Sequence, residues 1–419
     1  MAASKSVVVI GAGVVGLSVA YYALREGHRV TVVERGGRDH DCCSLGNAGM
    51  VTPSHFIPLA APGMVSLGLR MMMNPESPFW VRPRLSRDLV EWGIRFCQAA
   101  TASRAEQSAP VLRDLLLASR ASFEELSDAL PGGFGLVQKG LLNLCKTEAT
   151  LHEEGHVVEA AHKLGLEAEL LDAAELARLE PNIRMDVAGA VYFPQDCHLT
   201  PARLMSQLLC AVEDGGADMR WNSEVIGWRA SGSKIEAIQT STGDITGDEY
   251  VLAAGAFSPQ TVRNLGIRLP MQAGRGYNLT LPKPKSLPTK CAILTEGRVA
   301  VTPMGSSLRF AGTMEIVDTN EPMRQSRIDG ILKTIPKYYP DFSAADFTGI
   351  TPWSGMRPCS PDGLPYIGRF GRYSNLIAAT GHAMLGVSLG PITGKLVTDL
   401  LSARKPSVSL DAVRPDRYA

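Results

Sequence analysis

The sequence predicts an α/β fold in two interleaved domains. One is built discontinuously around a parallel sheet, and the other is an antiparallel sheet with helices. Three observations predict it. Val7 to Glu34 reads as strand, glycine turn, helix and second strand. Asn375 to Leu401 repeats a strand, a glycine-bearing turn and a helix at the far end of the 419-residue chain. Between them, segments of helical and strand period alternate, so pieces of the parallel domain fall at the start, middle and end of the chain.

The first unit opens with the β-branched run Val7 to Ile10, which leads into Gly11-Ala12-Gly13-Val14-Val15-Gly16. Gly11 permits a tight turn, Gly13 lets backbone N–H groups approach a pyrophosphate, and Gly16 lets helix and strand pack closely. The helix N-terminus then faces the phosphate charge. A small-residue helix runs to Arg25, Gly27 stops it, and a strand from Arg29 to Val33 ends at Glu34, 18 residues after Gly16. A carboxylate there accepts hydrogen bonds from both hydroxyls of an adenosine ribose and repels a 2′-phosphate. Strand, glycines, helix, strand and acid in one register form a Rossmann-like dinucleotide fingerprint. Val7 to Leu24 is also an uncharged run of 18 residues, nominally of membrane-spanning length. Its phosphate-loop glycines, and the lack of a basic n-region or cleavage site, favour a buried strand and helix. The expectation is a soluble, non-secreted, cytoplasmic protein.

Further along, Phe56 to Trp80 is charge-poor and rich in Met and Pro. It reads as a packed irregular loop, a substrate lid or a membrane-surface contact. Apolar residues at spacings of three and four predict helices over 86–130. Phe134 to Cys145 reads as a strand or hairpin, followed by a polar helix to about Leu164. An amphipathic helix over Pro201 to Gly215 takes Thr200 as N-cap. Short strands follow at Met219 to Ala230, Lys234 to Ser241 and Glu249 to Ala256, then across 271–315. The last unit places a strand at Leu376 to Ala379, a turn at Gly381-His382, then Gly386, Gly390 and a helix from about Pro391. Small residues there allow a flat ring to lie against the backbone, with a helix N-terminus pointing at it. The nucleotide-binding domain is expected to comprise 1–55, 196–256 and 351–419, and the substrate domain 56–195 and 257–350.

Composition excludes several classes. The 42 basic and 42 acidic residues balance, so no global field recruits nucleic acid or an anionic membrane. Eight scattered cysteines without C-x-x-C suggest reduced thiols rather than a disulfide frame or zinc cage. His152-Glu153-Glu154-Gly155-His156 fits H-E-x-x-H, with His162 at the eleventh position. In a continuous helix, however, His152 and His162 stand about 15 Å apart at 1.5 Å per residue, too far to share one zinc ion. An NAD-dependent dehydrogenase would carry the first fingerprint, but would not need Val251 to Ser258 (VLAAGAFS) or Trp353 to Gly368 (WSGMRPCSPDGLPYIG).

Those motifs, with Ser44-Leu45-Gly46-Asn47-Ala48-Gly49 and the GHAMLG turn, closely resemble the flavin-dependent amino-acid oxidoreductases. That group includes glycine oxidase, sarcosine oxidase and bacterial D-amino-acid dehydrogenases, the last being the nearest match. Five motifs in order cover essentially the whole chain and imply a glycine oxidase-like fold with FAD.

The resemblance implies that Gly11, Ala12, Gly13, Val14, Val15, Gly16, Glu34 and Arg35 hold the pyrophosphate and ribose of FAD. Ser44, Asn47, Ala48 and Gly49 match a loop beside the isoalloxazine. Val225 matches an adenine contact, and Ala254 and Gly255 a strand end near the pyrophosphate. Gly381, His382, Leu385 and Gly386 match the turn near the pyrimidine edge. Arg357, in Gly355-Met356-Arg357-Pro358, matches the arginine that binds the substrate carboxylate; a guanidinium is a planar, always-charged two-pronged donor. Tyr277, His55 and Glu315 are further pocket candidates, each at least as readable otherwise: Tyr277 as a packed ring, His55 as a loop residue, Glu315 as a strand-end charge. Sarcosine-oxidase-like members attach flavin through a cysteine seven residues before the Asp of T-P-D. That position is Gly355 here, so non-covalent FAD is expected. The implied reaction is dehydrogenation of a small amino or imino acid, a D-amino acid such as D-proline or hydroxyproline being the leaning, with electrons passed to a quinone or other carrier. An O2-using oxidase, a non-catalytic FAD subunit and a peripheral membrane contact are the alternatives.

Overall fold

The computed structural model describes residues 4–419; residues 1–3, at the head of the first expected nucleotide-binding segment, lie outside it. Val7, Val8 and Val9 are all wholly buried, as a β-branched run covered on both faces must be. Their strand, Ser6–Ile10, is interior to a six-stranded sheet. The order across it is Tyr366–Arg369, Leu376–Thr380, Glu249–Leu252, Ser6–Ile10, Arg29–Val33, Asp218–Arg220. All pairs are parallel except the outermost, Tyr366–Arg369 on Leu376–Thr380.

Period-2 alternation assigns the two faces. Val7 and Val9 pack against helices Val14–Arg25, Pro201–Asp214 and Gly386–Leu401. Val8 and Ile10 pack on the other side, against Ile235 and Ile238 of a small three-stranded sheet spanning 225–245. The terminal helices touch closely: a Cβ on Gly394 would fall 2.6 Å from the Ser18 carbonyl oxygen.

The second sheet carries nine strands. Eight run in the order Trp353–Cys359, Gln272–Leu281, Ser307–Val317, Val299–Met304, Cys291–Leu294, Leu141–Cys145, Gly189–Phe193, Glu169–Asp172. Phe79–Val81 pairs parallel with Ser307–Val317, and Cys291–Leu294 pairs parallel with Leu141–Cys145; the other pairings are antiparallel. Helix Gln325–Tyr338 covers one face through Ile328, Ile331, Ile335 and Tyr338.

Several expectations shift. The last helix begins at Gly386 and runs through Pro391, because a proline in the second turn forfeits only one intrahelical bond. Only Leu141–Cys145 of the 134–145 segment is a strand, since Gly135 and Gly140 adopt positive φ. Thr200 is the N-cap of Pro201–Asp214 but makes no side-chain cap bond. Helix Ala102–Ala129, expected in the substrate domain, buries Leu112, Leu115, Leu116, Phe123 and Leu126 in the core of the parallel domain. Trp353–Cys359, expected with the nucleotide domain, pairs in the second sheet. Among the described residues, no helix is long and apolar enough to cross a membrane.

Candidate active site

Both glycine turns open onto one cavity of about 640 Å³. At its floor, Gly11 has φ +109°, and a Cβ on Gly16 would lie 1.9 Å from the Gly11 carbonyl oxygen. Only glycine at 16 lets the helix sit this low on the strand, aiming its N-terminus into the cavity. Gly13 leaves the entrance to that terminus clear, and the Val14 N–H is capped by Ser44 Oγ at 3.1 Å. Glu34 is tied in place by the Ala12 and Gly36 amides, both at 2.9 Å. Next to it, the Arg35 guanidinium lies 3.6 Å over the Phe257 ring, and both residues line the cavity.

At the opposite end, the two ends of the chain meet. Asn47 Nδ2 donates to the Met384 carbonyl at 3.3 Å, and Ser388 Oγ donates to the Met50 carbonyl at 2.6 Å. His382 lies 2.9 Å from Thr393 Oγ1, whose own proton goes to Leu389 O. The His382 Nε2 must therefore carry the hydrogen, and burial pushes its pKa down to about 3, keeping the ring neutral.

Arg357 sits on the wall between these ends, and the antiparallel sheet aims it. Arg275 pairs with Glu315 and Tyr277 with Gly312, so Gly276 faces two residues, Thr313 and Met314. This is a β-bulge, and Thr313 there adopts φ +67°, unusual for a β-branched residue. The bulge turns the Thr313 carbonyl onto Arg357 Nη1 at 2.6 Å. On the neighbouring strand, a Cβ on Gly276 would lie 2.1 Å from Arg357 Nη2, so the guanidinium occupies the space that glycine leaves. Burial lowers the Arg357 pKa, and among the described residues no carboxylate forms an ion pair with it. A half-buried cation without a counter-ion, lining a cavity, is primed for an anionic ligand.

The cavity brings together Gly11, Gly13, Val14, Val15, Glu34, Arg35, Ser44, Asn47, Val225, Ala254, Gly255, His382, Gly386 and Arg357. Ala12, Gly16, Ala48, Gly49, Gly381 and Leu385 stand behind that lining. Gly49, at φ +74°, abuts the Leu199 carbonyl, and Gly381 abuts the Tyr366 ring. Tyr277 does not reach the cavity: it is 1% exposed and donates to Glu315 Oε2 at 2.7 Å, with Glu315 itself fully buried. Both lie in the packing under helix Gln325–Tyr338, because strand alternation turns Tyr277 away from the Gly276–Arg357 side. His55 is likewise outside the lining; it lies 3.2 Å from Ser54 Oγ, and burial pushes its pKa down to about 4. Cavity residues that sequence reasoning missed include Cys42, Cys43, Phe257 and Trp353. Trp353 stands two residues before the glycine of the Gly-Met-Arg-Pro element, a signal that was available. His162, at the eleventh position of the extended H-E-x-x-H pattern, has its Nε2 spent on the Ala168 carbonyl at 2.9 Å.

A family model described as FAD dependent oxidoreductase matches residues 6–400. This chain belongs to that family. The cavity fits its cofactor: a helix N-terminus opening into it, a fixed carboxylate at the end of the second strand, and small residues at the other turn. This flavoenzyme is 31% identical over 419 residues to a D-amino acid dehydrogenase of Granulibacter bethesdensis, covering 99% of each chain. It is 32% identical to a D-amino acid dehydrogenase of Paramagnetospirillum magneticum, covering 98% of each. Among solved structures, glycine oxidase from Geobacillus kaustophilus matches with TM-score 0.79 at 23% identity, covering 99% of both chains. L-proline dehydrogenase from P. horikoshii matches with TM-score 0.74 at 17% identity, covering 100% of this chain and 98% of that one. These two likenesses place the flavoenzyme in the same fold.

Proposed function

We propose that this flavoenzyme dehydrogenates a small D-amino or D-imino acid, holding FAD non-covalently and passing electrons to a quinone or other carrier rather than to O2. The observation that carries the reading is Arg357: a guanidinium without a counter-ion, fixed by Thr313 O and Gly276, on the wall of the cavity that both glycine turns share. Two parallel N–H donors suit an α-carboxylate. The D-amino acid dehydrogenase relatives, at full-chain coverage, support the substrate class.

The chemistry that FAD supplies when bound is acceptance of the substrate's α-hydride. The protein's share is orientation and charge. Arg357 anchors the carboxylate and so fixes the Cα–H direction. Neutral His382 adds no positive charge that would hold the substrate amine back from the cavity. Gly13, the Val14–Arg25 helix terminus and Glu34 would hold the dinucleotide end. No side-chain base is assigned, because the amine reacts as the free base and water hydrolyses the imine product. Gly355 occupies the position of the attaching cysteine, which supports non-covalent FAD.

The test is dye-linked turnover across paired D- and L-amino acids, with O2 consumption alongside. D-selective dye reduction with little O2 uptake is expected. Arg357→Ala should retain flavin but lose at least about 100-fold in kcat/KM, in line with about 3 kcal/mol for a lost charge-assisted pair. Unchanged kinetics in that variant remove the assignment.

A further inference from the structure

Behind the turn that carries Asn47 lies a second cavity of about 400 Å³. It shares Asp41 and Trp353 with the flavin cavity, so the two adjoin across the turn. Its polar wall is Arg309, which packs its guanidinium against that turn: Nη1 donates to the carbonyls of Leu45 at 3.1 Å and Asn47 at 2.7 Å, and Nε donates to Thr280 Oγ1 at 3.0 Å. Nη2 has no protein partner among the described residues. Burial pushes the Arg309 pKa down to about 10, with no neighbouring carboxylate to restore it. Across the same cavity, the Asp41 carboxylate accepts the Trp353 indole N–H at 2.9 Å and has no cationic partner among the described residues. Pro282, Ile350 and Trp353 supply apolar lining to the same cavity.

A half-buried guanidinium and an exposed carboxylate, both lining one cavity that also has apolar residues, complement a zwitterion. We infer that this cavity is a second amino-acid site, taking the α-carboxylate on Arg309 and the α-ammonium on Asp41. It is separate from the oxidation site at Arg357 and rests on the reading of this flavoenzyme as an amino-acid dehydrogenase. A carboxylate on Nη2 would leave the bonds from Nη1 to the turn in place.

The experiment is calorimetric titration of the dithionite-reduced holoenzyme under argon, where no amino acid is consumed, with D-alanine and with acetate as probes. Wild type is expected to bind two alanines per chain. Ile350→Trp, which fills the second cavity while leaving Arg309 in place, should bind one, as should Arg309→Gln. Asp41→Asn should weaken the second alanine about tenfold and leave acetate unchanged. One alanine or none in wild type, with Ile350→Trp changing nothing, overturns the second site. Should Arg357→Gln retain both alanines while Ile350→Trp loses one, the second site stands and the substrate assignment of the main cavity fails instead.

Discussion

At the scale of single residues, Arg357 shows how much of a site lies outside the residue that bears the charge. Its direction depends on the absence of a Cβ at Gly276 and on a carbonyl turned by a bulge at Thr313. Gly276→Ala places a methyl within about 2 Å of the guanidinium, which must then move. The expected result is a 10- to 100-fold rise in KM, corresponding to about 1.5–3 kcal/mol of charge-assisted hydrogen bonding. The flavin spectrum and thermal stability should stay near wild type. Steady-state kinetics beside a melting curve check this; a KM that does not move shows that the guanidinium is not held by this gap. The arginine itself was legible, because Gly-Met-Arg-Pro is a local pattern. The bulge was not, since nothing in Gly312-Thr313-Met314 marks a β-branched residue at positive φ.

Among elements, the short pairing of Met50–Val51 with Cys197–His198 fastens the chain as it leaves the Asn47 turn. A fully buried Asp196 reinforces it, accepting from the Ser54 amide at 3.1 Å and from Ser54 Oγ at 2.5 Å. Burial raises the Asp196 pKa to about 7. The folded chain thus keeps a proton there that the unfolded chain releases near pH 4, and stability falls as pH rises from about 4 to about 7. The window amounts to about 4 kcal/mol at 1.36 kcal/mol per unit. His55 and His198, both depressed to about 4, act in the opposite sense, losing stability as pH falls below about 6.5. Asp196→Asn removes the acid's contribution alone while keeping a carbonyl acceptor for Ser54. Its Tm should therefore exceed that of wild type by several degrees at pH 8 and match it at pH 5. Paired thermal melts at the two pH values check the sign, and a gain larger at pH 5 than at pH 8 contradicts it. Longer elements such as Ser6–Ile10 and Val14–Arg25 were readable from periodicity, but the two-residue strands of this pairing, too short to show a period, were not. Nor was the start of the last helix, because proline favours the first helical position, whereas this helix carries Pro391 in its second turn at the cost of one intrahelical bond.

For the whole molecule, one cavity joins the first and last crossover units of the chain. The first and last crossover turns both line the same cavity, and Asn47 and Met384 bond across it. FAD at about 100 times its Kd should add about 2.7 kcal/mol to stability. Flavin removed by denaturation should leave the protein colourless and the yellow in the supernatant, and the stripped protein should melt several degrees lower until FAD is restored. Colour that stays with the precipitated chain contradicts non-covalent binding. What the sequence by itself determined is the nucleotide half: glycine spacing, β-branched runs and a strand-end acid are local constraints on φ, packing and charge, readable without a partner. What only the tertiary structure decided is where distant segments meet. Helix Ala102–Ala129 joined the parallel domain, Trp353–Cys359 joined the antiparallel sheet, and Tyr277 turned into a core. Those outcomes depend on contacts between residues far apart in the chain, and such contacts leave no period or spacing to read.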